Sequence, residues 1–573
     1  MSLHTPSRWL AAVAVLLLAG CGSSTSTVPA SSLPPAGTLI PASSMDLTID
    51  SPAANVNDAL ATTAVRATVF IPEHVQGATY PLILHSHGWG GSRVSQADVD
   101  AMTLEPGSSV TSFFTLIDQQ VKVLWQAGYG VVSFTERGHG RGGDDGDEGT
   151  ADGAHTMSPD YEIRDAQAVI DWAVANMDLT LDAPGDPRMG AIGGSYGGGY
   201  QLLLAAVDPR VDAIIPGATW NSLETSLGPN RVIKKGYAFG LCVLATTDQI
   251  ELSPETQTSC QDGAFNQTTR FEEELSEEGQ RPILEHGLAA LEADPTFHYP
   301  QVDALLVQGN RDILFDLGQA FANYAYLSRS GGDVRLLTHQ NGHSLTALRA
   351  GPGSQLGLGP NTCGQFDDLA LYKAWFDAKL KGQTAGIALL PQICIALDDT
   401  TGVNLAVLPR GDAGHTVTVP DATVVTAAEH NNTQSPADEA LFIPLADPIA
   451  GDDQVLAGTP EALITLAPVI PGGPEGVVFI GLGIKRGADT ILVDDQVVPV
   501  RSSDPRAGAT PQAIDLVPVG EKLLAGDQLG VLLYGDHDQF ENEARTLYQG
   551  NLVSIAGTFK LPVFTASVHV RVP

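Results

Sequence analysis

A glycine-rich stretch between a short apolar run and an apolar helical segment constrains the fold of this chain more than any other feature. Residues 188–200 read R-M-G-A-I-G-G-S-Y-G-G-G-Y and contain Gly193-x-Ser195-x-Gly197. This spacing is typical of a nucleophile elbow, a sharp turn from a strand into a helix. The turn needs glycine two positions from the serine, because a Cβ there would collide with the adjoining backbone. The motif predicts that Ser195 is a nucleophile; a chance serine in a glycine-rich turn is the alternative.

Strands alternate with helices on both sides of this stretch. The hydrophobic pattern predicts strands over residues 64–72, 81–85, 129–134, 189–192, 211–216, 304–307 and 334–337, and helices over 113–127, 161–177, 200–207, 315–328 and 366–380. Such alternation is typical of a parallel sheet with helices on both faces. Residues 220–300 break the pattern, so we expect them to form a cap inserted over the carboxyl edge of the sheet.

The last third of the chain has a different composition. After about residue 390 no amphipathic helix is apparent, and short strand candidates at 477–480, 490–493, 528–533 and 568–572 are separated by Gly, Pro and Asp clusters. This pattern is typical of an all-β sandwich. The expected organisation is an α/β domain over residues 46–385 followed by a β-sandwich over 390–573.

The N-terminus has the features of a targeting segment. Arg8 precedes an apolar run over residues 9–19, which is too short to span a bilayer and ends in Leu18-Ala19-Gly20-Cys21. This arrangement resembles a bacterial lipoprotein signal over residues 1–20, with lipidation at Cys21; an ordinary secretory signal is the alternative. Residues 21–45 are mostly Ser, Thr, Pro, Ala and Gly and are expected to form a flexible tether.

The N-terminal features predict a protein of the cell envelope. It would contact the membrane only through the lipid anchor, either in the periplasm at the outer membrane or, with a single membrane, on the outer face of the cell. The charge argues against a nucleic-acid partner, because 66 Asp and Glu against 30 Lys and Arg give a formal charge of -36.

Four further cysteines are expected to form two disulfides outside the cytoplasm. They are Cys242, Cys260, Cys363 and Cys394. Three pairings are possible, and we expect neighbours to pair because each bond then closes a short loop. No CxxC spacing is present, so a zinc site is not expected.

A serine nucleophile needs a histidine to accept its proton and a carboxylate to orient the histidine. In an α/β-hydrolase these partners follow the serine in the order acid, then histidine, each on a loop after a strand. Asp312 follows the strand at 304–307, and His343 follows the strand at 334–337. The sequence predicts the triad Ser195, Asp312 and His343, with Asp316 and His339 as the alternatives.

Two backbone or side-chain donors must also face the oxygen that gains charge during acyl transfer. The N–H of Tyr196 is one candidate, because the elbow fixes it. The other is expected on the loop after residues 81–85, where we favour Trp89; an apolar wall of the acyl pocket is its alternative role.

Gly138-x-Gly140-x-x-Gly143 matches a dinucleotide fingerprint only formally. An acidic run over residues 144–148 follows it without a helix start and would repel a pyrophosphate. No metal or organic cofactor is expected.

These motifs together resemble the X-Pro dipeptidyl-peptidase and cocaine-esterase type of α/β-hydrolase. The resemblance lies in the elbow, in E-R-G-H-G-R at residues 136–141, in Gly309 to Asp312, in Gly342-His343, and in L-L-A-G-D-Q-L at 523–529. It implies a serine hydrolase that cleaves esters or amides, X-Pro dipeptidyl peptides among them, through an acyl-enzyme, with a jelly-roll-like C-terminal domain. Family members place a tyrosine hydroxyl near the position of His87-Gly88-Trp89, so the second donor differs here.

The substrate stays open among small-molecule esters, amides and peptides. An exopeptidase must bind a free amine, and the acidic residues of the cap could serve: Glu272, Glu273, Glu274, Glu277 and Glu278. A solvated helix face is their alternative role. A non-catalytic envelope binding protein on a hydrolase scaffold is the alternative function, and the sequence predicts no oligomeric state.

Overall fold

The computed structural model describes most of the chain between residues 37 and 570. The described residues are 37–51, 63–102, 113–140, 153–246, 250–261, 300–343, 363, 368–398, 401–412, 414–425, 440–470, 476–502, 510–540, 552–567 and 569–570. The predicted signal segment, Cys21 and the glutamates of the cap lie outside them.

A mixed sheet of eleven strands forms the centre of the molecule. In spatial order its strands are β2 (Ser43–Ser51), β3 (Thr63–Ile71), β6 (Gly130–Phe134), β5 (Leu82–His85), β9 (Met189–Gly194), β10 (Ala213–Gly217), β11 (Asp303–Gly309), β12 (Val334–His339), β13 (Ile393–Ala396), β14 (Thr401–Leu405) and β26 (His569–Val570). Within this spatial order, the seven neighbouring strands β6, β5, β9, β10, β11, β12 and β13 are parallel, as the alternating pattern predicts. Both edges are antiparallel, so the sheet is mixed, and the predicted parallel arrangement holds for its centre and not for its edges.

Helices cover both faces of this sheet. They are α1 (Gln96–Ala101), α2 (Phe113–Gln126), α3 (Glu162–Asn176), α4 (Tyr196–Val207), α5 (Leu223–Leu227), α6 (Lys235–Thr246), α7 (Pro254–Cys260), α8 (Leu317–Leu327) and α9 (Asp368–Lys381). One apolar core contains Ile163 of α3, Leu203 of α4 and Phe321 of α8. The core on the opposite face contains Val121 of α2 and Trp375 of α9. None of the described helices is long and apolar enough to cross a membrane.

The C-terminal region consists of antiparallel sheets around a separate apolar core. Its strands are β15 (Thr416–Val425), β16 (Leu441–Pro444), β17 (Gln454–Gly458), β18 (Glu461–Pro468), β19 (Val477–Arg486), β20 (Asp489–Arg501), β21 (Gln512–Asp515), β22 (Val519–Lys522), β23 (Gln528–Tyr534), β24 (Leu552–Lys560) and β25 (Val563–Thr565). Two four-stranded sheets, β15-β24-β18-β21 and β16-β23-β19-β20, pack through alternating apolar residues. The predicted fold class, an α/β-hydrolase domain followed by a jelly-roll-like sandwich, is confirmed.

Two predicted boundaries are displaced in the structure. The expected tether ends too late, because β1 (Leu39–Ile40) pairs with β4 (His74–Val75) and β2 begins at Ser43. The sandwich was expected from residue 390 to the C-terminus, yet β13, β14 and β26 belong to the edge of the central sheet. The short hairpin β7 (Leu181–Ala183) and β8 (Asp186–Pro187) was not predicted.

In the described part of residues 220–300, the α-helices are α5, α6 and α7, which follow β10. A disulfide between Cys242 and Cys260 joins α6 to the end of α7. A second disulfide joins Cys363 to Cys394 of β13. Each bond connects neighbouring cysteines.

Candidate active site

Ser195 lies on a strained turn between β9 and α4. Its backbone has φ 56° and ψ -115°, a conformation that costs free energy for a residue with a side chain. A Cβ at Gly193 would lie 2.3 Å from the carbonyl oxygen of Gly197, and one at Gly197 would lie 2.4 Å from that of Ser86. The glycine spacing that identifies the motif is therefore a packing requirement of the turn.

Buried polar groups hold the turn in place. Ser195 donates its backbone N–H to the carbonyl of Gly217, and Thr219 Oγ1 donates to the carbonyl of Ser195, both at 2.9 Å. Gln201, fully buried in α4, donates through Nε2 to the carbonyls of Gly193 and Gly197. A lone amide in an otherwise apolar helix is the signal in the sequence that could have identified Gln201.

The structure brings Ser195, His343 and Asp312 together at the carboxyl edge of the sheet. Ser195 Oγ lies 3.0 Å from His343 Nε2, and His343 Nδ1 lies 2.8 Å from Asp312 Oδ2. A carboxylate can only accept, so Nδ1–H donates to Asp312 and Nε2 is left to accept the hydroxyl proton. All three side chains are buried.

The carboxylate of Asp312 is itself fixed by donors. Its Oδ1 accepts the backbone N–H groups of Leu314 and Phe315, at 3.0 and 2.9 Å. Its Oδ2 also accepts from Gln308 Nε2 at 3.1 Å. These bonds leave Oδ2 directed at the imidazole.

The alternatives Asp316 and His339 have other partners. Asp316 is the N-cap of α8, where its side chain accepts from Gly318 N–H, and it lies 3.8 Å from the buried ammonium of Lys234. His339 Nδ1 accepts the N–H of Asn341 at 3.2 Å. Burial lowers the pKa of His339 to about 4, so the ring is neutral at ordinary pH.

The rings of Tyr196 and Trp89 are neighbours. Tyr196 is the first residue of α4, and an N–H in the first turn of a helix has no intrahelical acceptor. The ring centroids of Trp89 and Tyr196 are 5.1 Å apart. The indole N–H of Trp89 donates to the carbonyl of Leu241 in α6 at 3.1 Å, so only its backbone N–H remains for an oxyanion.

Two neutral histidines shape the loop that carries Trp89. His87 Nδ1–H donates to the carbonyl of Gly88, and its Nε2 accepts the N–H of Glu136 at 3.1 Å. Burial lowers the pKa of His87 to about 4 and that of His139 to about 3. The ring of His139 lies 5.0 Å from both Trp89 and Tyr196.

A buried layer of ionisable groups lies behind these rings. Arg137 makes two 2.8 Å bonds to Asp165, and both residues are fully buried. Glu162 accepts the N–H groups of His155 and Ser158 and lies 3.4 Å from the hydroxyl of Tyr196. Burial raises the pKa of Glu162 to about 7 despite the nearby Arg137.

The formal dinucleotide fingerprint also has a packing explanation. A Cβ at Gly138, whose φ is +74°, would lie 2.4 Å from the N of Ala154 and from the carbonyl of Glu251. The glycine therefore allows a close approach between this loop and the cap. Gly143 and the acidic run at 144–148 lie outside the described residues.

Helix α6 of the cap contacts two of the catalytic loops. Tyr237 donates its hydroxyl to the carbonyl of His343 at 3.0 Å, while Leu241 accepts from Trp89. Within the described ranges there is no group of three or more His, Cys, Asp or Glu that could hold a metal ion.

A serine on a strand-to-helix turn, with a histidine and an aspartate on the loops of later strands, defines an α/β-hydrolase. The model of the X-Pro dipeptidyl-peptidase (S15) family matches residues 61–345. These residues belong to that family, which confirms the resemblance. The protein is a hydrolase acting on ester or peptide bonds.

Solved structures with the same fold extend over nearly the whole chain. A CocE/NonD family hydrolase from Staphylococcus aureus is 14% identical, with a TM-score of 0.58 over 92% of this chain and 97% of that one. An α-amino acid ester hydrolase is 14% identical, with a TM-score of 0.58 over 95% and 100%. An aminopeptidase from a marine sediment archaeon, Thaumarchaeota archaeon, is 14% identical, with a TM-score of 0.53 over 91% and 97%. A comparison with the curated proteins gave no match.

The raised pKa of Glu162 predicts a pH dependence of stability. The native carboxyl holds its proton up to about pH 7, whereas the unfolded chain releases it near 4.5. The native state therefore binds more protons in this window, and the free energy of unfolding falls as pH rises, by up to about 1.4 kcal/mol per pH unit. Glu162→Gln should reduce this slope relative to the wild type in urea unfolding measured at several pH values.

The exposed Asp160 provides the control, because Asp160→Asn also removes one carboxyl from the same segment. It should leave the slope as in the wild type. Equal slopes for the wild type and Glu162→Gln would contradict the assignment of the bound proton.

Proposed function

We propose that this protein is a serine hydrolase that cleaves an ester or amide bond through a Ser195–His343–Asp312 triad and an acyl-enzyme. The observation that carries the proposal is the unbroken chain of hydrogen bonds from Asp312 Oδ2 through His343 to Ser195 Oγ. A purely binding protein would not need a strained serine aligned with a buried histidine and carboxylate.

In the first half of the reaction, Ser195 Oγ attacks the substrate carbonyl while its proton passes to His343 Nε2. Asp312 accepts from Nδ1–H and stabilises the imidazolium that forms. The N–H of Tyr196, with the backbone N–H of Trp89, would stabilise the oxyanion. His343 then gives its proton to the leaving group, and an acyl group remains on Ser195.

In the second half, His343 accepts a proton from water, which attacks the acyl-enzyme. The acid product leaves, and the proton returns to Ser195. The chemistry needs no group beyond these residues and water.

The surroundings of the nucleophile favour an apolar acyl group. The ring of Tyr196 lies 6.3 Å from Trp220, Trp220 lies 5.2 Å from Phe315, and Phe315 lies 5.1 Å from His343. Neighbouring aromatic rings thus extend from Tyr196, beside the nucleophile, to the catalytic base His343. Apolar and aromatic walls bind acyl groups by removing their surface from water.

We also propose that the protein acts in the cell envelope, either in the periplasm at the outer membrane or, with a single membrane, on the outer face of the cell membrane. The support is the apolar run that ends in Leu18-Ala19-Gly20-Cys21. The lipidated Cys21 would be the sole attachment to the membrane.

A fluorophosphonate probe tests the triad. The wild type should be labelled, and Ser195→Ala should not be, because the probe captures an activated serine. Asp312→Asn should lower kcat by roughly four orders of magnitude through loss of the imidazole's orientation. Asp316→Asn is the matched control, since asparagine also caps helices, and should keep kcat within about threefold. Labelling of Ser195→Ala would contradict the assignment of Ser195 as the nucleophile.

A substrate panel tests the acyl preference. p-Nitrophenyl esters with butyryl or benzoyl groups should give a kcat/KM at least about tenfold above that of the negatively charged succinyl ester, because the neighbouring aromatic rings offer no compensation for a charge. Aminoacyl-prolyl amides in the same panel separate ester from X-Pro peptide cleavage. A preference for the succinyl ester would contradict the proposed pocket.

The anchor has its own test in the producing bacterium. Cys21→Ser should remove lipid labelling and move the protein from the membrane fraction to the soluble fraction or the medium. The same distribution for both proteins would rule out lipidation at this residue.

A further inference from the structure

The loop that carries Asp312 is held by the C-terminal sandwich. Gln496 of β20 donates its side-chain amide to the carbonyl of Asn310 at 2.8 Å and to that of Asp312 at 2.9 Å. Gln496 is only 4% exposed, so water does not compete for these bonds. The two carbonyls bracket Arg311 and Asp312, so a single amide fixes the peptide plane before Arg311 and the peptide plane after Asp312.

An irregular excursion in β20 places the amide at this loop. The pairing of β19 with β20 passes from Gly481↔Val497 to Gly483↔Leu492, so residues 493–496 stand out from the ladder. Asp494 and Asp495 have φ of 50° and 58°, in the left-handed region that residues with side chains seldom adopt. Such strain persists only where surrounding contacts maintain it.

Several contacts maintain the excursion. Asp494 Oδ2 accepts the N–H of Gly520 at 2.7 Å, and Gln539 Nε2 donates to the carbonyl of Asp495 at 2.7 Å. Asp495 also lies 3.9 Å from the guanidinium of Arg311. Arg311 belongs to the loop that carries Asp312, here called the acid loop. The excursion is thus tied to the sandwich on one side and to the catalytic region on the other.

The acid loop has a matching set of anchors. Asn310 donates its side-chain amide to the carbonyl of Ala396 in β13 at 2.7 Å. At the other end, Lys234 of the cap donates to the carbonyl of Leu314 at 3.2 Å. The contacts of Gln496 lie between these two, next to Asp312.

We propose that Gln496 is a positioning residue for catalysis: it holds the peptide group before Arg311 and the peptide group after Asp312, so that Asp312 meets His343 at hydrogen-bond distance. The proposal rests on the proposed function. It makes the C-terminal sandwich part of the catalytic apparatus, because the geometry of the triad then depends on a side chain from outside the α/β domain.

The test uses Gln496→Met in the full chain, since methionine has a similar length but no donor. We expect kcat for a p-nitrophenyl ester to fall about 10- to 100-fold with KM within about twofold, because small displacements of catalytic groups lower rate more than binding. Gln528→Met is the matched control. It removes a side-chain bond from the same sandwich, to the carbonyl of Leu445, and should leave kcat nearly unchanged.

A double-mutant cycle separates positioning from general damage. If Gln496 acts through Asp312, adding Gln496→Met to Asp312→Asn should lower the residual kcat by less than about twofold. A merely structural role would give the same loss in both backgrounds, and that result would overturn the proposal. So would a loss of kcat no larger than that of Gln528→Met.

Two further measurements keep the outcome interpretable. Thermal unfolding should show similar midpoints for Gln496→Met and Gln528→Met. If Gln496→Met does not fold, Gln496→Ala is used in its place, because it removes the same two hydrogen bonds. Fluorophosphonate labelling of the wild type reports on Ser195 independently. If the wild type is labelled and Gln496→Met leaves kcat unchanged, only the positioning role is rejected. If the wild type is not labelled, the proposed function is rejected.

Discussion

The backbone of Ser195 at positive φ is the constraint on which the rest of the site depends. The turn places Ser195 Oγ 3.0 Å from His343 Nε2 and puts the N–H of Tyr196 at the start of a helix. It is possible only because Gly193 and Gly197 allow backbone to pack within contact distance of Ser86 and of each other. The buried amide of Gln201 links both glycines, so the strain is balanced by hydrogen bonds within α4 and the adjoining strands.

The two partners of Ser195 lie on two loops. Different parts of the molecule support these loops. The sandwich contacts the acid loop through Gln496, and α6 of the cap contacts the base loop through Tyr237. In the same cap helix, the carbonyl of Leu241 accepts a hydrogen bond from the indole N–H of Trp89. Two regions distant in sequence, the sandwich and α6, thus contact the loops that carry Asp312, His343 and Trp89.

The positions that were predictable from sequence are those where local pattern and topology coincide. Parallel strands end at one edge, so Asp312 and His343, each after an apolar run, could be placed near Ser195 from the order of strands alone. The structure joins Asp312 to His343 and His343 to Ser195, whereas Asp316 and His339 have other partners. The fold class could be predicted from the alternation of strands and helices, and the family from the motifs that resemble it.

The rest depends on contacts that no local pattern records. Gln496 meets Asp312 across 184 positions of the chain, and Tyr237 meets His343 across 106. The role of the indole of Trp89 could not be assigned before its partner in α6 was known. The edges of the central sheet were missed because β14 and β26 resemble sandwich strands in sequence and differ only in which neighbour they pair with.

The acyl-enzyme is the most direct test of the account. Trypsin releases residues 189–210 as one peptide, in which Ser195 is the only serine. Acid quenching during turnover of a slowly hydrolysed ester, followed by mass spectrometry, should find the acyl group on this peptide and at Ser195. Turnover with this peptide unmodified, or an acyl group on a different residue that forms and decays at the turnover rate, would contradict the account.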